Sequence, residues 1–341
     1  MKNQRVVLAS RPVDAPTPEN FRLEEVPVRE LEDGEVLIKT LYLSLDPYMR
    51  MRMNDGDSYA DPVKIGEEMF GGMVGRILKS RRKGFSEGDL VTGYTGWQSL
   101  AITSDPTLAR LPSDMAQPSL ALSLLGMPGF TAHYGLLKLG KPKAGETVVV
   151  GAATGAVGTV VGQIAKLKGC RVVGIAGGSE KCAFAVDSLG FDACIDHRSP
   201  DFRKDLKAAC PDGVDVYFEN VGGDVLRAVL PLLNEFARVP LCGVIAWYDG
   251  EKSGKPVLAA EVMTTMLVKR IEMTGFVILD QYADHYAEFA RDMQGWVASG
   301  KMTIREDVVE GLANAPEAFI GLLKGKNFGK LVVRVASDDG I

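Results

Sequence analysis

The pattern of apolar and polar positions changes character along the chain. In the first third, short apolar runs are punctuated by Gly and Pro. Residues 34–45, 71–78 and 88–93 read as strands of a Gly-rich β domain. Past Pro118 apolar positions recur at helical spacing over 119–125 and 131–137, with a break expected at Gly126-Met127-Pro128-Gly129. From Thr147 to about Leu279, β-branched runs alternate with helical stretches. Residues 214–218 and 238–245 are further strand candidates, and 285–299 read as an amphipathic helix. This alternation predicts a parallel sheet covered on both faces. Strand character returns at 330–335, and Asp338-Asp339-Gly340-Ile341 are expected to fray.

The most informative stretch is Thr147-Val148-Val149-Val150-Gly151-Ala152-Ala153-Thr154-Gly155-Ala156-Val157-Gly158. A buried strand runs into a turn of small residues. A helical stretch follows from Val160 to Lys168, and then a second strand, Arg171 to Ile175. Strand, Gly turn, helix and strand form the dinucleotide-binding βαβ unit. The first Gly of the usual pattern is replaced by Ala153, but the surrounding elements are complete. Gly155, Ala156, Val157 and Gly158 let the backbone approach a pyrophosphate, and the helix N-terminus supplies N–H groups and a favourable dipole.

An NAD site usually places Asp or Glu on the ribose 2′-OH, about 20 residues past the glycines. Here the strand ends in Ala176-Gly177-Gly178-Ser179-Glu180-Lys181, with no carboxylate at the strand end itself. Gly177 leaves room, Ser179 offers a hydroxyl, and Lys181 and Arg198 offer cations suited to a 2′-phosphate. The reading is NADP(H), with the Glu180 side chain directed away into solvent.

With 341 residues the chain has room for two domains. A net charge of −5 gives no pull toward nucleic acid or anionic membrane, and no apolar run reaches spanning length. A cytoplasmic enzyme is the expectation. The five cysteines include no CxxC pair and sit within or beside apolar runs, so they read as small core residues. The three histidines are scattered without metal-ligand spacing, and no metal site is expected.

Several blocks together resemble the medium-chain dehydrogenase/reductase superfamily, most of all its zinc-free double-bond reductases of the curcumin, prostaglandin and alkenal reductase group. They are Leu45-Asp46-Pro47-Tyr48-Met49-Arg50, Gly126-Met127-Pro128-Gly129-Phe130-Thr131-Ala132, the Gly turn with its helix, and Phe218-Glu219-Asn220-Val221-Gly222-Gly223. Cys242-Gly243-Val244-Ile245 with Tyr248, and Asn327-Phe328-Gly329-Lys330, complete the set in order. The resemblance implies a Rossmann doubly wound parallel sheet, residues 127–302, inserted into a GroES-like β-barrel catalytic domain, residues 1–126 and 303–341. It also implies a homodimer.

Zinc-dependent members of the superfamily carry Cys and Gly-His-Glu ligands. This chain has Leu43-Ser44-Leu45 and Gly66-Glu67-Glu68 at those places. Without zinc to polarise an alcohol or carbonyl oxygen, the chemistry that fits is hydride addition to Cβ of an α,β-unsaturated ketone or aldehyde. The resemblance makes Tyr248 the candidate catalytic donor, and Tyr48 and Tyr59, with Tyr248, the substrate pocket. Thr131, Asn220 and Asn327 fall at cofactor positions. His197 stands where relatives carry Tyr, beside Arg198, and can stack on adenine or reach the 2′-phosphate. Trp247 and Asp249 also depart from the usual Ser-x-Tyr-Asn. A quinone oxidoreductase of the same superfamily, or an NADPH-binding sensor or structural protein without catalysis, are the alternatives.

Overall fold

Gly and Pro punctuation yields short strands in the first third of the chain. The computed structural model describes residues 1–56, 58–250 and 259–338, which fall into two units. The first holds residues 1–122, 306–327 and the chain from Leu331 onward. Its strands are β1 (Lys2–Leu8), β2 (Phe21–Pro27), β3 (Val36–Ser44), β4 (Gly72–Ser80), β5 (Leu90–Tyr94), β6 (Leu100–Thr103) and β7 (Ala109–Arg110). β1 and β2 pair antiparallel over their whole length. β3, β4, β5 and β7 form consecutive antiparallel pairs, and β6 adds to β3. Trp97 anchors one core, stacked on Phe21 at 5.9 Å between ring centres, with Phe319 edge-on at 5.5 Å.

The second unit, residues 123–305 and 328–330, begins with α1 (Met127–Tyr134), which continues into a wider π-type turn, Gly135–Gly140. The expected break at 126–129 is instead the first turn of this helix. Pro at the first helical positions needs no N–H partner. Gly129 is required because a Cβ there would lie 2.0 Å from the Leu124 carbonyl oxygen. The stretch before it forms only a 3-10 segment, Pro118–Leu122, rather than the expected helix.

Alternation then follows: β8 (Thr147–Gly151), α2 (Gly158–Leu167), β9 (Arg171–Ala176), α3 (Ser179–Asp187), β10 (Ala193–Asp196), α4 (Phe202–Ala209), β11 (Val214–Phe218), α5 (Gly223–Val229), β12 (Leu233–Leu241), α6 (Ala259–Lys269), β13 (Glu272–Gly275) and α7 (Tyr282–Ala298). The six strands are parallel in the order β10-β9-β8-β11-β12-β13. That is the doubly wound order, with its switch point between β8 and β11. Val148, Val149 and Val150 are fully buried at its centre. The strand expected at 238–245 starts five residues earlier and ends at Leu241. Its register against β11 shifts between Leu233 and Arg238, around Phe236 at φ +61°. The chain returns to the first unit through β14 (Glu306–Glu310), α8 (Ala315–Leu323) and β15 (Lys330–Arg334), which pairs antiparallel with β3. Asp338 is not frayed: the Arg76 guanidinium grips its two oxygens at 2.6 and 2.7 Å. Asp339, Gly340 and Ile341 lie outside the described residues.

Candidate functional site

At the end of β8 the chain reverses sharply. Ala152 takes a left-handed conformation (φ +51°), and the Ala153 and Gly155 N–H groups donate to Ile175 and Ala152 at 3.0 and 2.9 Å. A Cβ on Gly158 would lie 2.3 Å from the Ala152 carbonyl oxygen, so only Gly lets α2 begin this close to the turn. Gly162 lets α2 sit down on the sheet side, where a Cβ would overlap the Phe191 ring at 1.8 Å. Gly155, Ala156, Val157 and Gly158 thus lead into the N-terminus of a ten-residue helix. Such an end accepts a phosphate.

A second cluster forms where β9 and β10 end. A Cβ on Gly177 would lie 2.9 Å from His197 Nε2 and 3.1 Å from the Arg198 guanidinium, so the two side chains pack directly over the Gly177 backbone. Gly178 (φ +105°) precedes α3, which opens with Ser179 and carries Lys181 in its first turn. Asp196, at the end of β10, accepts the backbone N–H groups of Gly178 and Arg198 on one oxygen, both at 2.9 Å, while Glu180 lies exposed in the first turn of α3. Those bonds and the neighbouring cations outweigh its partial burial and hold Asp196 below its ordinary value. Desolvation of the ring lowers the His197 value, and the Arg198 and Lys181 charges lower it further against Asp196. An anion arriving beside the ring would favour its protonated form. The Lys181 and Arg198 charges reach His197 at this strand end, and Ser179 opens α3 beside them, a donor set whose chemistry fits a 2′-phosphate.

A third cluster follows β11. Glu219 is fully buried; its Oε1 accepts the Tyr217 hydroxyl at 2.9 Å and the Val221 and Gly222 N–H groups at 2.6 and 2.9 Å. Burial raises its value against these donors. The Asn220 amide donates to the Gly151 carbonyl at 2.8 Å, joining this turn to the nucleotide turn. Ala246 N–H donates to Val221 at 2.9 Å, and the Trp247 ring covers Gly222, where a Cβ would meet it at 2.8 Å. Tyr248 follows, its hydroxyl 3.1 Å from where a Cβ on Gly243 would stand. Asp249 is half-buried beside it. The Thr131 hydroxyl, buried on α1, donates back to the Met127 carbonyl at 2.8 Å.

Tyr48, Tyr59 and Asn327 belong to the first unit. Tyr48 meets Phe70 edge-on at 6.3 Å, and Phe70 stacks on Tyr94 at 5.4 Å with the Arg52 guanidinium 3.9 Å from its ring centre. Burial pushes the Tyr48 hydroxyl well up, with Asp46, Tyr94 and Tyr59 adding to it. Tyr59 is about half exposed, at 49%. A cavity of about 520 Å³ beside this aromatic group is bordered by Arg11, Arg52, Lys64 and Phe70 among others. Sequence reasoning missed Phe70, Tyr94 and Arg52. The only cue was Arg52 shortly after the Tyr48 block. Asn327 lies in the loop between α8 and β15. Of the two carboxylates in the Gly66-Glu67-Glu68 stretch, Glu68 pairs with Arg5 at 2.8 Å and Glu67 with Lys64 at 3.5 Å. Among the described residues no His, Cys, Asp and Glu cluster is arranged to hold a metal ion.

Two family models match: residues 4–111 match the N-terminal domain of oxidoreductase, and residues 156–294 match the zinc-binding dehydrogenase family. The chain is 55% identical over 339 residues to an NADPH-dependent curcumin reductase of Escherichia coli, covering 99% of this chain and 98% of that protein. It is 40% identical over 327 residues to prostaglandin reductase 1 of Bos taurus, covering 94% and 96%. Among solved structures, CurA from Vibrio vulnificus in complex with NADPH matches with a TM-score of 0.95 at 54% identity, covering 98% of this chain and 99% of that one.

Proposed function

The chain belongs to the medium-chain dehydrogenase/reductase family, within the group of the curcumin and prostaglandin reductases, and from that membership we propose that it is an NADPH-dependent reductase of conjugated C=C bonds. The observation that carries the reading is the cluster at the ends of β9 and β10. There the His197 imidazole and the Arg198 guanidinium lie over Gly177, and Asp196 Oδ1 accepts two backbone N–H groups. Bound NADPH supplies the hydride. The phosphates are received by Gly155–Gly158 and the N-terminus of α2, and the 2′-phosphate by Ser179, Lys181, His197 and Arg198. Asn220 and Thr131 hold positions on the elements next to the nucleotide turn.

Hydride arriving at Cβ moves negative charge to the carbonyl oxygen. Tyr248 donates its phenolic hydrogen to that oxygen, a role that needs no metal. Tyr48, Tyr59, Phe70 and Tyr94 give flat faces suited to extended conjugated ketones and aldehydes. The reading is zinc-independent, and the pairing of the carboxylates at the Gly-His-Glu position with Arg5 and Lys64 supports it. The protein is a cytoplasmic homodimer in this reading. Its five cysteines are all free. The outer strand β13, with exposed Met263, Leu267 and Val268 on the neighbouring α6, offers an apolar edge for a second copy. The test is NADPH consumption with an enone, an enal, a curcumin-like diketone and a quinone in chelator-treated buffer. Turnover of the conjugated carbonyls without metal supports the reading. Loss of activity on chelation with rescue by zinc, or turnover of the quinone alone, overturns it.

A further inference from the structure

The cavity of the first unit holds an arginine whose hydrogen-bonding capacity is largely unspent. Tyr48 and Arg52 share one 3-10 segment, Pro47–Met53. The Arg52 backbone carbonyl accepts the Val63 N–H at 2.8 Å, and its side-chain Nε donates to the Asp61 carbonyl at 3.0 Å. Main chain and side chain are thus both fastened to the 61–63 stretch. The guanidinium is held with its carbon 3.9 Å from the Phe70 ring centre. Among the described residues, no acceptor meets either Nη group of Arg52.

The neighbouring cations are differently placed. Arg50, in the same segment, is buried and donates to Asn54 Oδ1 and the Asp14 carbonyl at 2.6 and 2.7 Å. Arg11 donates to the Met53 and Val63 carbonyls and to Asp55 at 2.9, 3.1 and 3.0 Å. Lys64 faces Glu67 at 3.5 Å, and Glu68 is taken by Arg5 at 2.8 Å. The charges bordering the cavity therefore cancel in pairs, except for those of Arg52 and Asp61. Asp61 is exposed.

What borders Arg52 is flat and apolar. Phe70 carries the guanidinium on its ring, stacks on Tyr94 at 5.4 Å and meets Tyr48 edge-on at 6.3 Å. Arg52 is therefore about one aromatic ring beyond Tyr48. A planar fork with two open Nη groups matches a carboxylate, which can take both at once. The cavity of about 520 Å³ has room for such a group together with the ring that bears it.

We propose that this cavity is a subsite for a carboxylate at the far end of the substrate, with Arg52 as its receptor, so that the protein selects conjugated ketones and aldehydes carrying an anionic tail over neutral ones. The proposal deepens the reductase reading and rests on it. Arg52 acts at a distance from the reacting carbons, so its bond to the carboxylate is the same in the ground state and the transition state. Its signature is a lowered KM with kcat unchanged.

The experiment compares two substrates with the NADPH-loaded protein: benzalacetone with a para carboxylate, and the same enone with a para carboxamide. The wild type is expected to show a KM about tenfold lower for the acid at similar kcat, as for one bond to a charged group that solvent partly screens. Arg52→Gln brings the ratio of the two KM values close to one, and Arg52→Lys keeps part of it, because an ammonium supplies the charge without the fork. The ratio is independent of any general loss of activity in the variants. The wild-type ratio also shrinks as salt is raised, a measurement that stands even if a variant fails to fold. Equal KM values for acid and amide in the wild type, or an acid preference that survives Arg52→Gln, overturn the subsite. If neither enone is reduced, the reductase reading has failed instead. The subsite is then judged by calorimetry of the saturated acid and amide: tighter binding of the acid that is lost in Arg52→Gln supports it, and equal binding overturns it.

Discussion

Gly177→Ala tests the 2′-phosphate recess with a single methyl group. Gly177 does not take a left-handed conformation, so Ala carries no backbone strain there. Loss of chain entropy in the unfolded state even favours the variant slightly, by about 0.4–1 kcal/mol. The new Cβ, however, stands 2.9 Å from His197 Nε2 and 3.1 Å from Arg198 Nε and Cζ. These are closer than a carbon normally tolerates, and the groups that must give way are the ends of two side chains. The fold survives and the recess does not. Displacing one charge-assisted bond to a phosphate costs about 1.5–3 kcal/mol, which is about a tenfold to somewhat over a hundredfold rise in the Kd for NADPH. NADH has no 2′-phosphate and loses little. Fluorescence titration of both cofactors, with a thermal melt to confirm folding, reads the difference. Equal weakening for NADPH and NADH, or none for either, would refute the placement of the 2′-phosphate at this strand end.

Lys181→Ala is expected to weaken NADPH about ten- to a hundredfold with NADH nearly unchanged, again by titration. Because His197 is held below its ordinary value in the free protein, a bound phosphate raises it. NADPH affinity therefore rises as pH falls from about 7 toward the free-protein value, NADH affinity stays flat, and His197→Asn removes the slope; below about pH 6 protonation of the phosphate opposes the trend. Gly162→Ala drives a methyl group into the Phe191 ring, an overpacking cost of about 1–3 kcal/mol that should lower the Tm by several degrees; an unchanged Tm contradicts the close packing. Tyr248→Phe should lower kcat and kcat/KM together by about tenfold, less than a dry oxyanion site would lose, with NADPH affinity intact; an unchanged kcat with a raised KM makes Tyr248 a packing residue.

The parallel sheet was legible because β8, β9 and, apart from Asp215, β11 are largely apolar runs, and such runs bury on both faces only inside a covered sheet. Local exceptions were not legible. Pro128 and Gly129 look like a break, yet Pro suits a helix start and Gly129 is set by a carbonyl close to it in space. β12 begins with Leu233-Asn234-Glu235-Phe236, which alternates poorly because Phe236 is turned to a positive φ and remains 61% exposed. In the candidate site, the Gly turn and the strand-end residues announce themselves through their place in the βαβ unit. Phe70, Tyr94 and Arg52 do not, because their grouping comes from the pairing of β4 with β5 and from a stacking contact far apart in sequence.

The residues after β11 show why the nucleotide turn and the Tyr248 segment act as one piece. β11 neighbours β8 at the switch point, so the loops leaving these two strands start side by side. Asn220 fastens one to the other through the Gly151 carbonyl. Glu219 fixes the turn from below by taking the Val221 and Gly222 N–H groups, and its own carbonyl accepts the Cys242 and Gly243 N–H groups at 2.9 and 3.1 Å. Trp247 lies on Gly222, and the residue after it is Tyr248. The backbone that flanks the phosphate turn is thus connected, by five polar contacts and one ring contact, to the segment that carries the phenol. A buried carboxylate is an expensive way to shape a turn, since charge inside a protein costs several kcal/mol unless it is well paired. At Glu219 two of the three donors are N–H groups of the turn itself and the third is the Tyr217 hydroxyl, so much of the cost is offset only when the turn holds the geometry that connects the two segments.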